Sequence, residues 1–450
     1  MYESAAATLE PVIRRVLGGH LPLRIKCWDG STLGPVESTS TLVLRSPQAL
    51  RHILFSPGEL GFGRAFVSGD LDIEGDIYST LDLRQLMGAL HENVEVKLDA
   101  RGIAELTKAA AKLGIIGRPP KPPLEEARLR GRMHTRTRDE AAVAHHYNVG
   151  NRFYRSVLGP SMTYSCAYWA GDEFCLEDAQ AAKFELVCRK LALMPGDRLL
   201  DVGCGWASML IHAARYHGVH GVGITLAKEQ AVLATQRVAE AGLTAQIEIR
   251  FQDYRETNDG PFDAISSIGM FEHVGTEGKH AYFMNLHRLL KPRGRLLNHA
   301  ISRPDTHGGK LPPKSFVARY VFPDGELMEV GQVATTMQDL GFEVRDVESL
   351  REHYARTLRA WVVNLEANWT EIVANVGEGR ARVWRLYMAA SAVGFEAHRI
   401  SIHQVLGVKN DEDGRSAMPP TRRYLGLEKP LPRTVRRDSC FVGSTTTTLM

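Results

Sequence analysis

The chain has 450 residues, 44% of them hydrophobic and 24% charged, with a net charge of +3. That balance belongs to a globular protein long enough for two or three domains, and the charge is too small to point to nucleic acid. No apolar run is long enough to span a bilayer, and Met1-Tyr2-Glu3-Ser4 lacks the basic and apolar regions of a secretion signal. The six cysteines, at positions 27, 166, 175, 188, 204 and 440, include no CxxC pair. Their spacing supports neither a disulfide framework nor a metal site and fits a reducing cytoplasm.

Residues 1–105 read as a small α+β domain. A helical opening at Leu9–Leu17 precedes alternating stretches at Leu21–Trp28 and Thr41–Arg45. The glycine-punctuated, acidic run Leu60–Asp76 predicts turns and bulges. Residues 106–138 read as a basic connector. Ile103, Leu106, Ala109, Ala110 and Leu113 recur at helical spacing, and Arg118, Lys121, Arg128, Arg130, Arg132, Arg136 and Arg138 follow, with prolines at 119, 120, 122 and 123. Such a run is a solvated linker or a surface drawn to anionic lipid, worth about 1 kcal/mol per basic residue.

From 139 to 410 strand and helix patterns alternate, as in a parallel α/β sheet. Strands are expected at Arg198–Val202, Gly221–Thr225, Ile247–Phe251, Phe262–Ser267 and Arg295–His299, with a helix from Trp206 to Tyr216. Residues 411–450 read as a disordered extension.

Two stretches of this region carry chemistry. Tyr164-Ser165-Cys166-Ala167-Tyr168-Trp169 sets a thiol, a hydroxyl, two phenols and an indole side by side. Such aromatic density suits a core segment, or a pocket that holds a sulfonium or carbocation out of water. Asp201-Val-Gly-Cys-Gly-Trp206 lies between a strand and a helix, where glycines let the backbone approach a ligand. The spacing Gly203-x-Gly205-x-Ala207 departs from GxGxxG, and the second strand ends Gly223-Ile-Thr-Leu226 without the acid that grips a dinucleotide ribose. With Asp253 closing the third strand, S-adenosylmethionine (SAM) fits better than a dinucleotide.

These residues, with His146-Tyr-Asn148, Glu229-Gln230, Gln252-Asp-Tyr-Arg255, Met270-Phe-Glu-His-Val-Gly275 and Tyr320-Val-Phe-Pro-Asp-Gly325, resemble the cyclopropane-fatty-acyl-phospholipid synthases and the related mycolic-acid and branched-fatty-acid methyltransferases. The likeness covers roughly residues 60 to 408. It implies a Rossmann-like SAM-dependent methyltransferase sheet with a smaller N-terminal lipid-interaction domain. It implies a SAM site at Tyr164, Ser165, Asp201, Gly203, Gly205, Thr225, Leu226, Gln230, Asp253 and Tyr254. It also implies a bicarbonate ion acting as base, held at Cys166, Glu272, His299, Ile301 and Tyr354, with no metal. The sequence departs from the family pattern at Ala207, where a third glycine is usual, and at Ser391, where many members carry a cysteine. Serine is a poor substitute for a thiolate, so covalent catalysis is not expected at Ser391.

The activity implied is methylene transfer to a cis double bond of an unsaturated phospholipid acyl chain, closing a cyclopropane. Tyr168, Trp169 and Phe271 are the expected cation-stabilising faces. A methylene- or methyl-branched product is the alternative. A small-molecule methyltransferase would need neither the N-terminal domain nor the aromatic strip, and a non-catalytic lipid-binding protein would not need the intact loop. The expected partners are unsaturated phospholipid and an anionic membrane surface, with the protein on the inner face of the membrane; a homodimer is compatible with the resemblance. Residues 302–325, rich in Pro, Gly and Lys, are expected as a lid over an acyl tunnel.

Overall fold

In the computed structural model the described residues are 3–16, 21, 23–82, 100–127, 149–306, 311–312, 314–323 and 325–425. They group into two compact units. Arg128, Arg130, Arg132, Arg136, Arg138 and the His146-Tyr-Asn148 motif lie outside the described residues. Among the described residues no helix is long and apolar enough to cross a membrane.

The first unit takes Met1–Ala127 together with Pro312–Val321 and Val376–Val393. Helices α1 (Ala5–Val16), α2 (Gln48–Phe55), α3 (Glu59–Val67) and α4 (Ala100–Lys112) accompany a sheet ordered β2-β1-β3-β4, from β1 (Arg24–Lys26), β2 (Thr32–Leu33), β3 (Ser40–Leu44) and β4 (Leu71–Gly75). The turns expected over Leu60–Asp76 are instead α3 and β4. The glycines there serve packing. A Cβ on Gly61 would overlap the carbonyls of Ser56 and His52, and one on Gly63 would overlap the Phe316 ring. Close approach between elements needs the missing side chain as much as a turn does.

The added segments are held by charge and ring contacts. Arg64 grips Glu126 with two bonds, at 2.8 and 2.9 Å, and the Tyr320 hydroxyl donates to the same carboxylate at 3.4 Å. Phe316 stacks on Tyr320 at 4.9 Å, and Arg382 reaches Asp72 at 3.1 Å. The unit is thus discontinuous in sequence, where the sequence pattern drew continuous bounds. Of the expected lid, residues 302–325, the stretch Pro312–Val321 belongs to this unit, whereas Ser302 and Arg303 end a strand of the second.

The second unit takes Arg128–Leu311, Phe322–Asn375 and Gly394–Met450. Its sheet runs β11-β12-β9-β8-β5-β6-β7, with β10 (Met328–Glu329) beside β9. The strands are β5 (Arg198–Val202), β6 (His220–Thr225), β7 (Ile247–Phe251), β8 (Phe262–Ile268), β9 (Leu290–Arg303), β11 (Phe342–Ser349) and β12 (Ser401–Lys409). β9, β8, β5, β6 and β7 are parallel, and β12 pairs antiparallel with both β9 and β11. The helices are α5 (Asn151–Leu158), α6 (Leu176–Leu191), α7 (Ser208–His217), α8 (Lys228–Glu240), α9 (Gly275–Leu289), α10 (Val330–Asp339) and α11 (Arg351–Ala367). One core layer joins Val187, Leu210, Ala234 and Val238 to Leu199; the other joins Phe283, Leu286 and Met337 to Leu200 and Val202. Covered on both faces, the central strands are buried along most of their length rather than alternating, and their polar residues Asp201, Ser266 and Ser267 are buried too.

Residues 411–425, expected to begin a disordered extension, run mostly exposed along the unit but are anchored to it. Asp411 pairs with Arg293 at 2.5 Å, Arg422 with Asp346 at 2.5 Å, and Leu425 is buried. The remainder of the expected extension lies outside the described residues.

Strand β6 is sequence-selected for thinness. A Cβ on Gly223 would meet Leu210 Cδ1 at 2.7 Å and Cys204 Sγ at 2.9 Å. Gly223→Ala is expected to destabilise the fold by about 1–3 kcal/mol through overpacking, read as a lower urea midpoint at unchanged slope.

Candidate functional site

The carboxyl end of β5 turns sharply into α7. Gly203, Gly205 and Ala207 have φ of +78°, +53° and +65°. Alanine tolerates this left-handed region at a cost of about 1 kcal/mol, so the missing third glycine does not break the loop. The N–H groups of Gly203 and Cys204 both donate to Ile224 O at 3.0 Å, and that of Ala207 donates to Cys204 O at 2.9 Å. Arg237 clamps the far side, donating to Trp206 O at 2.7 Å and Ser208 Oγ at 2.9 Å. With those amides used inside the fold, the loop is a poor cradle for phosphates and a good floor for a ligand without them.

Above the loop lies a cavity of about 330 Å³. Tyr164, Ser165, Asp201, Gly203, Gly205, Thr225, Leu226, Gln230 and Tyr254 all line it, nine of the ten expected cofactor residues. Thr225 Oγ1 donates to Gln230 Oε1 at 3.1 Å, fixing the amide at the end of β6 where a dinucleotide site would place an acid. Asp201 is buried and accepts from Ser266 Oγ at 2.6 Å; burial raises its pKa to about 6 against that bond. Asp253 is the exception. It does not line the cavity; it accepts from Arg255 at 2.9 and 2.6 Å through the guanidinium and at 2.9 Å through the backbone N–H.

The five residues expected around a base meet through the strand ends. Glu272, in a short turn after β8, accepts from Ile301 N–H at 2.7 Å through Oε1, while its buried Oε2 has no hydrogen-bond partner among the described residues. Ile301 is opposite Ile402 on β12, and Ile402 O accepts from Leu350 N–H at 2.9 Å. Leu350 O in turn accepts from Tyr354 N–H at 3.0 Å and lies 3.7 Å from Cys166 Sγ. His299 stands two residues before Ile301, with Nδ1 3.1 Å from Gln404 Nε2 and a buried Nε2 that has no partner among the described residues. The amide nitrogen donating to Nδ1 leaves the ring proton on Nε2. Burial depresses the His299 pKa, lifts the Cys166 thiol well above its usual value, and raises Glu272 to about 7 against the Ile301 bond. None of these five residues lines the cavity itself; Glu272 lies between Met270 and His273, which do, and His299 O accepts from the N–H of Gly269, which does.

A model of the mycolic acid cyclopropane synthetase family matches residues 134–405. The chain belongs to that family. A Mycobacterium tuberculosis protein named as a probable fatty acid methyltransferase is 44% identical, with 89% of this chain and 94% of that one covered. The cyclopropane-fatty-acyl-phospholipid synthase of Escherichia coli is 39% identical over 60% of this chain and 68% of its own. The crystal structure of the mycolic acid cyclopropane synthase CmaA1, complexed with SAH and CTAB, superposes with a TM-score of 0.57 at 35% identity, covering 60% of this chain and 98% of that one. The chain is a SAM-dependent methyltransferase of Rossmann-like fold.

Within this family member the aromatic strip is divided differently from expectation. Tyr164 lines the cavity and packs against Trp361 and Tyr154 at 5.2 and 5.8 Å. Tyr168 and Trp169 do not line it. Tyr168 stacks on His353 at 4.8 Å; Trp169 donates to Thr357 Oγ1 at 3.1 Å and is covered by Arg356 at 4.3 Å. Phe271 is likewise turned into the core, against Phe283 at 5.0 Å. The faces these three were expected to offer are occupied by α11 and α9, while Tyr164, Phe184, Trp206 and Tyr254 stand on the cavity wall. Ser391 is a half-buried position in the helix Glu378–Glu396.

Lys183 and His273 line the cavity too and were missed in the sequence. Lys183 sits on the buried stripe of α6 with Ala179, Leu186 and Lys190, a lysine at apolar periodicity that was the available signal. Its ammonium donates to Ser165 Oγ at 3.0 Å, and burial pushes its pKa down to about 7. His273 is held at about 4 by burial, hence neutral at physiological pH.

Two outcomes are expected here. A buried Glu272 with a pKa near 7, against 4.5 when unfolded, stabilises the fold in its protonated form; that contribution is complete below 4.5 and disappears as pH rises through 7. Relative to Glu272→Gln, the wild type should therefore lose up to about 3 kcal/mol across that window, measured by urea unfolding at a series of pH values. Lys183→Met removes a buried donor from the cavity wall and should weaken SAM binding by roughly 10-fold or more in calorimetry, with an unchanged circular dichroism spectrum.

Proposed function

We propose that this enzyme transfers a SAM-derived carbon to a cis double bond in the acyl chain of a membrane phospholipid and closes a cyclopropane ring. The observation that carries this reading is the pair of buried polar atoms without a hydrogen-bond partner among the described residues, Glu272 Oε2 and His299 Nε2, on segments that also carry the cavity-lining Gly269, Met270 and His273 or bond to them. SAM, when bound, supplies an electrophilic methyl group. Asp201, Thr225, Gln230 and the Gly203–Ala207 loop hold and orient it, and the rings of Tyr164, Trp206 and Tyr254 shelter positive charge from water.

Bicarbonate, when bound, supplies a base. The donor set suits that anion: neutral His299 offers its Nε2 proton, and Glu272, protonated about as often as not at neutral pH, offers another. Ile301 orients Glu272 through its N–H, Gln404 fixes the His299 tautomer, and Cys166 and Tyr354 complete the wall from the Leu350 side. Cys166 acts there as a neutral, buried group, since its thiol is held far from ionisation.

A branched or methylene-bearing acyl product is the second reading. The fatty acid methyltransferase relative matches 89% of the chain, whereas the cyclopropane synthase from E. coli matches 60%. The two readings share every residue role except where the last proton leaves.

Access to the lipid is by docking on the anionic inner membrane face. Arg118 and Lys121, both exposed, begin the basic stretch that serves this. Incubation with SAM and vesicles of anionic monounsaturated phospholipid tests the whole reading. The expected product gains one methylene in mass and shows upfield ring protons by NMR, and turnover falls as salt is added. Vinyl protons would select the second reading, and no mass gain on any lipid would sink both.

A further inference from the structure

On the opposite side of α6 from Lys183, helices α6 and α7 bring together Cys188, His212 and His217. One ligand atom from each lies within 4.8 Å of the other two, and among the described residues no other group of metal-ligating side chains is so disposed. Glu185, one turn before Cys188, places Oε2 3.4 Å from His212 Nε2 and 3.0 Å from His217 Nε2. Its other oxygen is held by Arg189 Nε at 2.7 Å, which aims the free oxygen at the two rings.

We propose that Glu185, Cys188, His212 and His217 form a zinc site that pins α6 to α7. A tetrahedral Zn²⁺ with bonds of 2.0–2.3 Å has ligand–ligand edges of roughly 3.3–3.7 Å. The Glu185–His212 separation of 3.4 Å already matches those edges and the Glu185–His217 one, at 3.0 Å, must open slightly. The Cys188, His212 and His217 atoms, within 4.8 Å of one another, need to close by about 1 Å, and the Glu185 carboxylate has to turn toward Cys188 as they do. The charge balances as well. Binding deprotonates the Cys188 thiol and releases that proton to solvent; thiolate and carboxylate then neutralise the dication, as a buried site requires. Cys188 and His212 are buried, while the His217 side chain is 19% exposed and gives the ion a way in. The arrangement combines soft sulfur, borderline nitrogen and one carboxylate, which suits zinc over magnesium or calcium.

The site is structural, not catalytic. All four coordination positions are filled by protein, and none of these residues lines the cavity. Its consequence is mechanical: α6 carries Lys183 and Phe184 to the cavity wall, and α7 begins where the cofactor loop ends. Cross-linking the two helices fixes the wall against the floor.

The test uses the full-length protein, stripped with a chelator and titrated with Co²⁺ and then Zn²⁺. The expected result is one equivalent of Co²⁺ with four-coordinate visible bands and a thiolate charge-transfer band, displaced by Zn²⁺, with the melting temperature raised by several degrees. Cys188→Ala should abolish the charge-transfer band. His217→Gln, at the partly exposed ligand, should weaken binding at least 10-fold while SAM binding by the metal-free protein reports that the fold is intact. Absence of stoichiometric binding, a cobalt spectrum without thiolate charge transfer, or binding unchanged in both variants would each overturn the site.

Discussion

The active unit depends on how closely the β5–α7 loop lies against strand β6. Ile224 O accepts from both Gly203 and Cys204, and Gly223 leaves the space that Cys204 and Leu210 fill. This one contact fixes where α7 starts, where the cavity floor lies and what the floor can bind. A nucleotide-phosphate loop points free amides at its ligand; here the first amides are turned inward, and recognition passes to side chains at the ends of β5, β6 and β7. The preference for a sulfonium cofactor over a dinucleotide thus follows from backbone geometry before any side chain is considered.

Beyond the loop, the strand ends set electrostatics by burial rather than by ion pairing. Asp201, Glu272, His273, His299, Cys166 and Lys183 are all shifted toward their neutral forms, with desolvation as the largest cause in each. Burial thus thins the charge at these positions without removing it: Asp201, at about 6, stays largely ionised at neutral pH on the wall that receives the cationic cofactor. A negative charge near the sulfonium binds the cofactor but, because transfer discharges the sulfur, does not by itself speed the step. Aromatic walls act more evenly on a delocalised cation and shed water at the same time.

Much of the second unit was legible in the sequence because its central strands are buried on both faces. Arg198–Val202 and Ile247–Phe251 have the bounds their apolar runs suggest. The strand expected at Arg295–His299 extends over Leu290–Arg303, since pairing with β12 carries it past the apolar run. Nine of the ten expected cofactor residues line the cavity because they sit on a loop and on strand ends, where spacing along the chain determines position. Tyr168 and Trp169 were misjudged for the opposite reason. Their surroundings are set by His353, Thr357 and Arg356, almost two hundred residues away, and no local pattern shows which face a distant helix will cover. Gly61 and Gly63 read as turns because a packing glycine and a turn glycine are identical in sequence.

Two buried lysines on one helix show how a structural charge differs from a functional one. Lys190 is fully buried and meets Asp346 at 2.9 Å and Glu348 at 2.5 Å, so its charge is matched by carboxylates and its position is fixed. Lys183, seven residues earlier on the same stripe, meets a hydroxyl instead and faces the cavity. Burying an ammonium without a carboxylate costs stability that a methionine of similar length would not. A fold that keeps Lys183 there carries that cost at the wall of its cofactor cavity, and Oε2 of Glu272 and Nε2 of His299, without partners among the described residues, carry a similar one behind it. Polar groups left short of partners in an otherwise well-packed core mark where a ligand completes the structure. Glu272, His299 and Lys183 meet that description where a cofactor cavity lies beside them, at the carboxyl ends of β5, β8 and β9, and that coincidence separates them from the other buried polar atoms of the core.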